Sequence, residues 1–135
     1  MAIQNALASV AVTSLPDAVQ WYESLFKRAP DSCPMPELAE WSFPQGGWLQ
    51  VYQLPQRAGE CSVTLSVDDI DEQGEQLARM GVTIGQRSDS SAVRIIMVAD
   101  PDGNHIAFAQ PLDQRLSVLA PACASPFLTG MVKAA

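Results

Sequence analysis

The chain contains a single histidine, which makes His105 the natural candidate for acid or base chemistry near neutral pH. It follows the segment Asp-Pro-Asp-Gly-Asn at residues 100–104. By the two-residue alternation of a strand, it shares a face with Ala107 and Ala109. No serine, cysteine or carboxylate lies at a motif spacing from it. We therefore predict no catalytic residue. We place His105 among the ligand-contacting residues, with a partly exposed strand position as the alternative.

The cysteines indicate neither a disulfide framework nor a zinc site. Cys33, Cys61 and Cys123 are odd in number and widely spaced, without a Cys-x-x-Cys pair. A pairing of Cys61 with His105 is conceivable, but no spacing supports it. Phosphate-binding glycine loops and His-Glu-x-x-His are also absent from the sequence. We therefore predict reduced thiols and no cofactor.

One strand-like segment carries aromatic and amide side chains on the same face. Trp48, Gln50 and Tyr52 alternate along it. Flat rings favour stacking on an aromatic guest or cation–π contact with a cationic one. The alternative is that the rings fill this space instead of lining it. Further polar anchors are predicted on three other strands, at Ser9, Ser62, Thr64, Ser66 and Arg94.

The charge balance argues against nucleic acid as a partner. Fifteen acidic and eight basic residues give a net charge of −7, the wrong sign for neutralising phosphates. The acidity serves solubility or attracts a cationic ligand. No basic residue precedes Lys27, and prolines interrupt the uncharged stretch 116–132. We therefore expect no secretory signal, no membrane span and a cytoplasmic protein.

The elements that position these residues come from an internal repeat. Residues 7–17 and 62–71 begin alike, with alternating apolar positions followed by a helix start, so that Ile70 superposes on Leu15. Ser14 is the predicted cap of the first helix, and the second is predicted to run from near Asp69 to Gly81. Short β-type runs follow each helix, at 32–35, 38–43 and 48–54 and at 82–86, 92–98 and 105–110.

Each half therefore has the order strand, helix, three strands. We predict an α+β fold in which two βαβββ modules form a mixed, partly open barrel-like sheet with a shared concave cavity. The modules span about residues 5–54 and 60–110 of a single domain, 1–110. Residues 111–135 form a tail outside the repeat.

Three segments resemble the vicinal oxygen chelate superfamily of glyoxalase I, bleomycin-resistance proteins and extradiol dioxygenases. They are Leu-Pro-Asp-Ala-Val-Gln-Trp-Tyr (15–22), Val-Asp-Asp-Ile-Asp (67–71) and Asp-Pro-Asp-Gly-Asn-His-Ile (100–106). The resemblance implies a divalent metal held by His, Gln or Glu on the first and last strands of each module. Residue by residue, these ligand positions fall on Leu7, Gln50, Ser62 and Ala107. Of these only Gln50 is a plausible ligand, so we predict that the usual metal site is missing.

The leading prediction is a metal-free protein that binds a small molecule, similar to the drug-sequestering bleomycin-resistance proteins. Its ligand is expected to be cationic or aromatic, and the resemblance implies a homodimer. The alternative is an enzyme of the same superfamily, of lyase, isomerase or dioxygenase type; a third is a regulatory or interaction module. The predicted ligand-binding residues are Leu7, Ser9, Trp48, Gln50, Tyr52, Ser62, Thr64, His105 and Ala107.

Overall fold

The internal repeat is visible in the order of secondary-structure elements. A computed structural model describes residues 2–112, so most of the predicted tail, 111–135, lies outside the described residues. The first half contains β1 (Leu7–Val12), α1 (Leu15–Phe26), β2 (Ser32–Met35), β3 (Leu38–Ser42) and β4 (Trp48–Gln53). After a 3-10 turn at Pro55–Arg57, the second half contains β5 (Ser62–Ser66), α2 (Ile70–Arg79), β6 (Gln86–Asp89), β7 (Val93–Ala99) and β8 (His105–Pro111). The predicted α+β fold of two βαβββ modules is confirmed.

Sheet one is a mixed sheet in the order β1-β4-β3-β2. β1 runs parallel to β4, while β4 and β3, and β3 and β2, are antiparallel. Val10, Leu49, Val51 and Trp41 are fully buried on one side of the sheet, in keeping with the alternation of side chains along β3 and β4. On β1 the alternation is interrupted, because Ala11 on the other side is also fully buried. One side of sheet one therefore belongs to the hydrophobic core.

Helix α1 covers that apolar side. Ser14 caps its N-terminus by accepting from the Asp17 backbone N–H at 3.5 Å, and the helix ends where Lys27 adopts a left-handed conformation (φ 60°). The Phe26 ring lies 5.4 Å from the Trp41 ring, centroid to centroid. Packed aromatic rings of this kind are among the largest stabilising contributions available to a module of about 50 residues.

Sheet two has the corresponding order β5-β8-β7-β6, in which β7 is antiparallel to both of its neighbours, β6 and β8. Asp69 caps α2 by accepting from the N–H groups of Asp71 and Glu72, both at 3.1 Å. Past its C-terminus Gly81 has φ 77°, the left-handed conformation that favours glycine. Both predicted ends of the second helix are therefore close to those observed.

A pair of equivalent hydrogen bonds supports the predicted superposition of the modules. The side-chain oxygen of Gln53 accepts from the N–H of Leu15 at 2.9 Å, at the first residue of α1. The side-chain oxygen of Gln110 accepts from the N–H of Ile70 at 2.9 Å, at the first residue of α2. Counting back three residues along each strand pairs Gln50 with Ala107, as the sequence predicted.

Two details of the second module differ from expectation. The edge strand predicted at 82–86 lies at Gln86–Asp89 because the N–H of Val82 bonds to the Leu77 carbonyl at the end of α2, and so is withdrawn from the sheet. Arg94 does not join the predicted polar anchors, since its guanidinium bonds to Asp71 (3.0 and 3.1 Å) and to Asp89.

The chain divides into two compact units that do not coincide with the two halves of the sequence. Among the described residues, the first contains residues 2–63 together with the turn Asp100–Asn104, and the second contains Thr64–Ala99 and residues 105–112. The turn thus belongs to the first unit, although the strands that it connects belong to the second. In the described part of the chain, no helix combines the length and the apolar character needed to cross a membrane.

Candidate functional site

The face of sheet one opposite α1 carries most of the predicted ligand-binding residues. Strand pairing places Leu7 beside Trp48, Ser9 beside Gln50, and Ala11 beside Tyr52. We call this surface the distal face, and it comprises Leu7, Ser9 and Ala11 of β1, Trp48, Gln50 and Tyr52 of β4, and Leu38, Glu40 and Ser42 of β3. The structure therefore brings together five of the nine predicted residues, Leu7, Ser9, Trp48, Gln50 and Tyr52, on one surface.

A row of hydrogen-bonded polar side chains crosses the centre of the distal face. Ser9 Oγ donates to Gln50 Oε1 at 3.0 Å, and Gln50 Nε2 donates to Glu40 Oε2 at 2.6 Å. Because the carboxylate can only accept, the amide nitrogen of Gln50 must point toward Glu40 and its oxygen toward Ser9. The row therefore presents a polar group of fixed orientation at the middle of the sheet.

Aromatic rings lie on both sides of this row. Trp48 precedes Gln50 by two residues and Tyr52 follows it by two, so each Cα lies roughly 7 Å from that of Gln50 along the strand. Both residues are only partly buried, and neither ring pairs with another aromatic ring within residues 2–112. By contrast, Trp41 on the opposite face is fully buried against α1. The arrangement supports rings that line the distal face, the first of the two alternatives considered from the sequence.

Glu40 is the member of the Ser9–Gln50–Glu40 row that the sequence did not predict as a site residue. It lies between buried Ala39 and Trp41 on β3 and pairs directly with Gln50. The alternation of apolar and polar residues from Leu38 to Ser42 could have placed it on the exposed side of the strand. Its position beside Gln50 depends on the β3–β4 register, which the sequence alone does not specify.

The other four predicted residues lie on sheet two, where no comparable row forms. Ser62 and Thr64 are exposed on β5, and β8 lies next to β5 in the sheet. Ala107 of β8 is only 3% exposed. His105 is partly buried, and its Nδ1 atom is buried without a hydrogen-bond partner among the described residues. Where sheet one has Gln50 paired with Glu40, sheet two has the apolar pair Ala107 and Met97.

The residues at the family's metal-ligand positions do not fit a divalent metal. Leu7 and Ala107 have no donor atom, and the Ser62 hydroxyl is a poor ligand unless it is deprotonated. The Gln50 amide already bonds through both its oxygen and its nitrogen. Within residues 2–112, no group of three or more His, Cys, Asp or Glu side chains could hold a metal ion. We therefore derive no chemistry through a metal.

A second polar cluster is fully buried and joins the Asp100–Asn104 turn to the rest of the first unit. The Tyr22 hydroxyl donates to Asp100 Oδ2 at 2.8 Å, and Asn104 Nδ2 donates to the same oxygen and to the Ala11 carbonyl, both at 2.8 Å. Asn104 Oδ1 accepts from the N–H groups of Gly59 (2.9 Å) and Cys61 (3.0 Å). Asn104 thus uses both ends of its amide to fix the turn.

The packing of this cluster accounts for the residue types in the turn. Burial, followed by the negative charge of Asp100, raises the pKa of the Tyr22 hydroxyl far above its usual value. Gly59 has φ 90°, and a Cβ there would lie 2.6 Å from the Asp102 carbonyl oxygen, so no larger residue fits. Asp100 and Asn104 are 4% and 0% exposed. Because these groups are satisfied internally, we assign the cluster a structural role.

Comparison with known proteins gives the class first. No family model and no curated protein matches the chain, but its fold is found among solved structures of paired βαβββ proteins. A glyoxalase/bleomycin resistance protein from Catenulispora acidiphila DSM 44928 is 32% identical, with a TM-score of 0.72, over 80% of this chain and 98% of that one. The chain therefore belongs to the glyoxalase/bleomycin resistance protein family, and the predicted superfamily resemblance is confirmed.

Two further structures extend the comparison. TnmS3, an antibiotic binding protein from Streptomyces sp. CB03234, is 25% identical over 82% of this chain and 98% of that one, with a TM-score of 0.69. A structure described as oxidase ChaP-H2 covers 82% of this chain and 94% of that one with a TM-score of 0.66, but at 16% identity it shows the fold alone. This fold is therefore found both in a protein named for antibiotic binding and in one named as an oxidase.

Proposed function

We propose that this protein binds a flat small molecule on the distal face of sheet one without a metal, as a drug-sequestering protein does. The observation that carries the proposal is the pair of partly buried, unpaired rings of Trp48 and Tyr52 on either side of the fixed Ser9–Gln50–Glu40 row. Aromatic residues of this kind leave ring faces available for stacking. The central Gln50 amide supplies a directional hydrogen bond. Small-molecule sites commonly combine an aromatic lining with a few polar groups that fix the ligand's orientation.

Sequestration requires affinity and no reacting group, so a metal-free face suffices for it. The two rings are roughly 13 Å apart between Cα atoms, four residues along one strand. A fused three-ring molecule laid over Gln50 reaches from one ring toward the other. The similarity to TnmS3, named as an antibiotic binding protein, is in keeping with this use of the fold.

A second candidate function is catalysis by an enzyme of the same family, of lyase, isomerase or dioxygenase type. The observation that favours it is the buried Nδ1 of His105, a titratable atom for which no described residue supplies a hydrogen-bond partner. Substitution of His105 by Ala separates the two candidates. Loss of turnover with binding retained would support an enzyme, while unchanged ligand affinity and no turnover in either form would support sequestration.

We infer further that the protein acts in the cytoplasm as a homodimer. Leu7 is 47% exposed on β1, an edge strand of sheet one, and Ile3 just before it is 95% exposed. Apolar groups of this size at a sheet edge favour association with a second copy. Light scattering during size-exclusion chromatography should give twice the mass of one 14.5 kDa chain. A monomeric mass across micromolar concentrations would contradict this inference.

Tryptophan fluorescence tests the binding site directly, because Trp48 is the only one of three tryptophans on the distal face. Titration with a panel of fused-ring aromatic compounds should quench the emission of the wild-type protein. Trp48→Phe should abolish most of that change, because the quenched emission comes from the Trp48 indole, which contacts the ligand in the proposed complex. Trp21→Phe, on α1, serves as the matched control and should preserve the change.

Two results would contradict the proposal. The first is a flat response of the wild-type protein across the whole panel. The second is a response that survives in Trp48→Phe and disappears in Trp21→Phe, which would place the ligand beside the helix.

A further inference from the structure

Among the nine residues of the distal face, Glu40 is the sole acidic one and none is basic. At the margin of the face, the Asp31 carboxylate accepts from Ser42 Oγ and is already paired with Arg28. The Glu40 carboxylate accepts from Gln50 Nε2 through Oε2 and forms no ion pair within the described part of the chain. The other oxygen, Oε1, receives no hydrogen bond from residues 2–112. A partly buried carboxylate with an unused acceptor is thus available at the centre of the proposed site.

The surroundings of Glu40 favour a positive charge rather than a neutral group. The π faces of Trp48 and Tyr52 are electron-rich and attract cations, most strongly where water is displaced. A hydrogen bond with an ionised partner is about twice as strong as a neutral one. A cationic donor adds Coulomb attraction to the carboxylate, which grows as the local dielectric falls. A bound anion would meet repulsion from the carboxylate and from both ring faces.

We propose that Glu40 makes the distal face selective for planar organic cations, with the ligand's protonated nitrogen facing the carboxylate and its rings against Trp48 and Tyr52. This inference rests on the proposed function, because it needs a ligand on that face. The inference adds to that function the sign of the ligand's charge and the residue, Glu40, that recognises this charge. The net charge of −7 attracts the same class of ligand at longer range.

A comparison of two acridines with the same ring system distinguishes the contribution of charge to affinity from that of ring stacking. At pH 7, 9-aminoacridine is a cation with N–H donors, whereas acridine is neutral. Isothermal titration calorimetry should give a dissociation constant about tenfold lower for 9-aminoacridine, the change expected from one charge-assisted contact at a partly exposed site. Added salt should weaken 9-aminoacridine binding and leave acridine binding nearly unchanged.

The matched variants are Glu40→Gln and Glu37→Gln. Glu40→Gln keeps an oxygen that can accept from Gln50 but removes the charge, so it should eliminate the preference for the cation while acridine affinity changes less than twofold. Glu37→Gln removes the same charge from the exposed turn before β3 and should preserve the preference. Thermal melts of both variants establish that they are folded, and the salt series on the wild-type protein provides a test that needs no substitution.

The outcomes distinguish this inference from the function on which it rests. Equal affinity for the two acridines, or a preference that persists in Glu40→Gln, would overturn the selectivity and leave binding on the distal face intact. Absence of binding by both acridines would count against the proposed function itself. If Glu37→Gln and Glu40→Gln removed the cation preference equally well, the preference would be a general effect of the acidic surface and not a property of Glu40.

Discussion

At the scale of single residues, Tyr22 places a polar hydroxyl group in the buried core. Its side chain is fully buried, and its hydroxyl donates to Asp100 Oδ2. Burial is the first cause, and the Asp100 charge the second, of its raised pKa. Asp100 keeps a bond from Asn104 to the same oxygen. The hydroxyl therefore contributes to stability in its neutral form.

Tyr22→Phe is expected to lower the free energy of unfolding at pH 7 by about 1–3 kcal/mol, because a buried acceptor loses one of its donors. A raised pKa in the folded state means that the Tyr22 contribution is fully present below the ordinary tyrosine value of 10 and is lost as pH rises above it. Urea unfolding from pH 7 to pH 11 should therefore show wild-type stability falling above about pH 10 more steeply than that of Tyr22→Phe. Parallel curves for the two proteins would contradict this assignment.

At the scale of elements, the sequence predicted most of what local physics determines. The βαβββ order, both helix starts and the inward positions of β1 follow from alternation and from capping residues such as Ser14 and Asp69. The shift of β6 was not predicted, because the residue types of Val82-Thr83-Ile84 favour a strand, while a local bond from Val82 N–H to the Leu77 carbonyl caps the end of α2 instead. Glu40 was missed for the related reason that its partner is set by register between strands.

Gln53 and Gln110 make the two helix starts depend on the last strand of each module. Each side chain accepts from the first N–H of its helix, a donor that the helix itself cannot satisfy. Alanine at either position should lower the free energy of unfolding by about 1 kcal/mol. Gln86→Ala, on the exposed edge strand β6, is the control and should change it little. Urea denaturation measures all three; equal effects for Gln86→Ala and Gln110→Ala would refute this role for the glutamines.

At the scale of the whole molecule, the chain passes between the two compact units at Val63, Ala99 and Asn104. The turn Asp100–Asn104 interrupts the second unit in sequence but hydrogen-bonds within the first. This gives the Asp-Pro-Asp-Gly-Asn segment a structural role, because its side chains satisfy backbone groups of residues some 40 to 90 positions earlier. We infer that the turn couples the unfolding of the two units.

Asn104→Ala tests that coupling, because the asparagine makes bonds to Ala11, Gly59 and Cys61 that alanine cannot replace. All three tryptophans, Trp21, Trp41 and Trp48, belong to the first unit, so their fluorescence reports its unfolding while far-UV circular dichroism reports both units. The wild-type protein should give coincident thermal transitions by the two methods. In Asn104→Ala the fluorescence transition should move to lower temperature than the dichroism transition, because buried groups of the first unit lose their partners. Transitions that stay coincident in the variant would mean that the turn contributes stability without coupling the units.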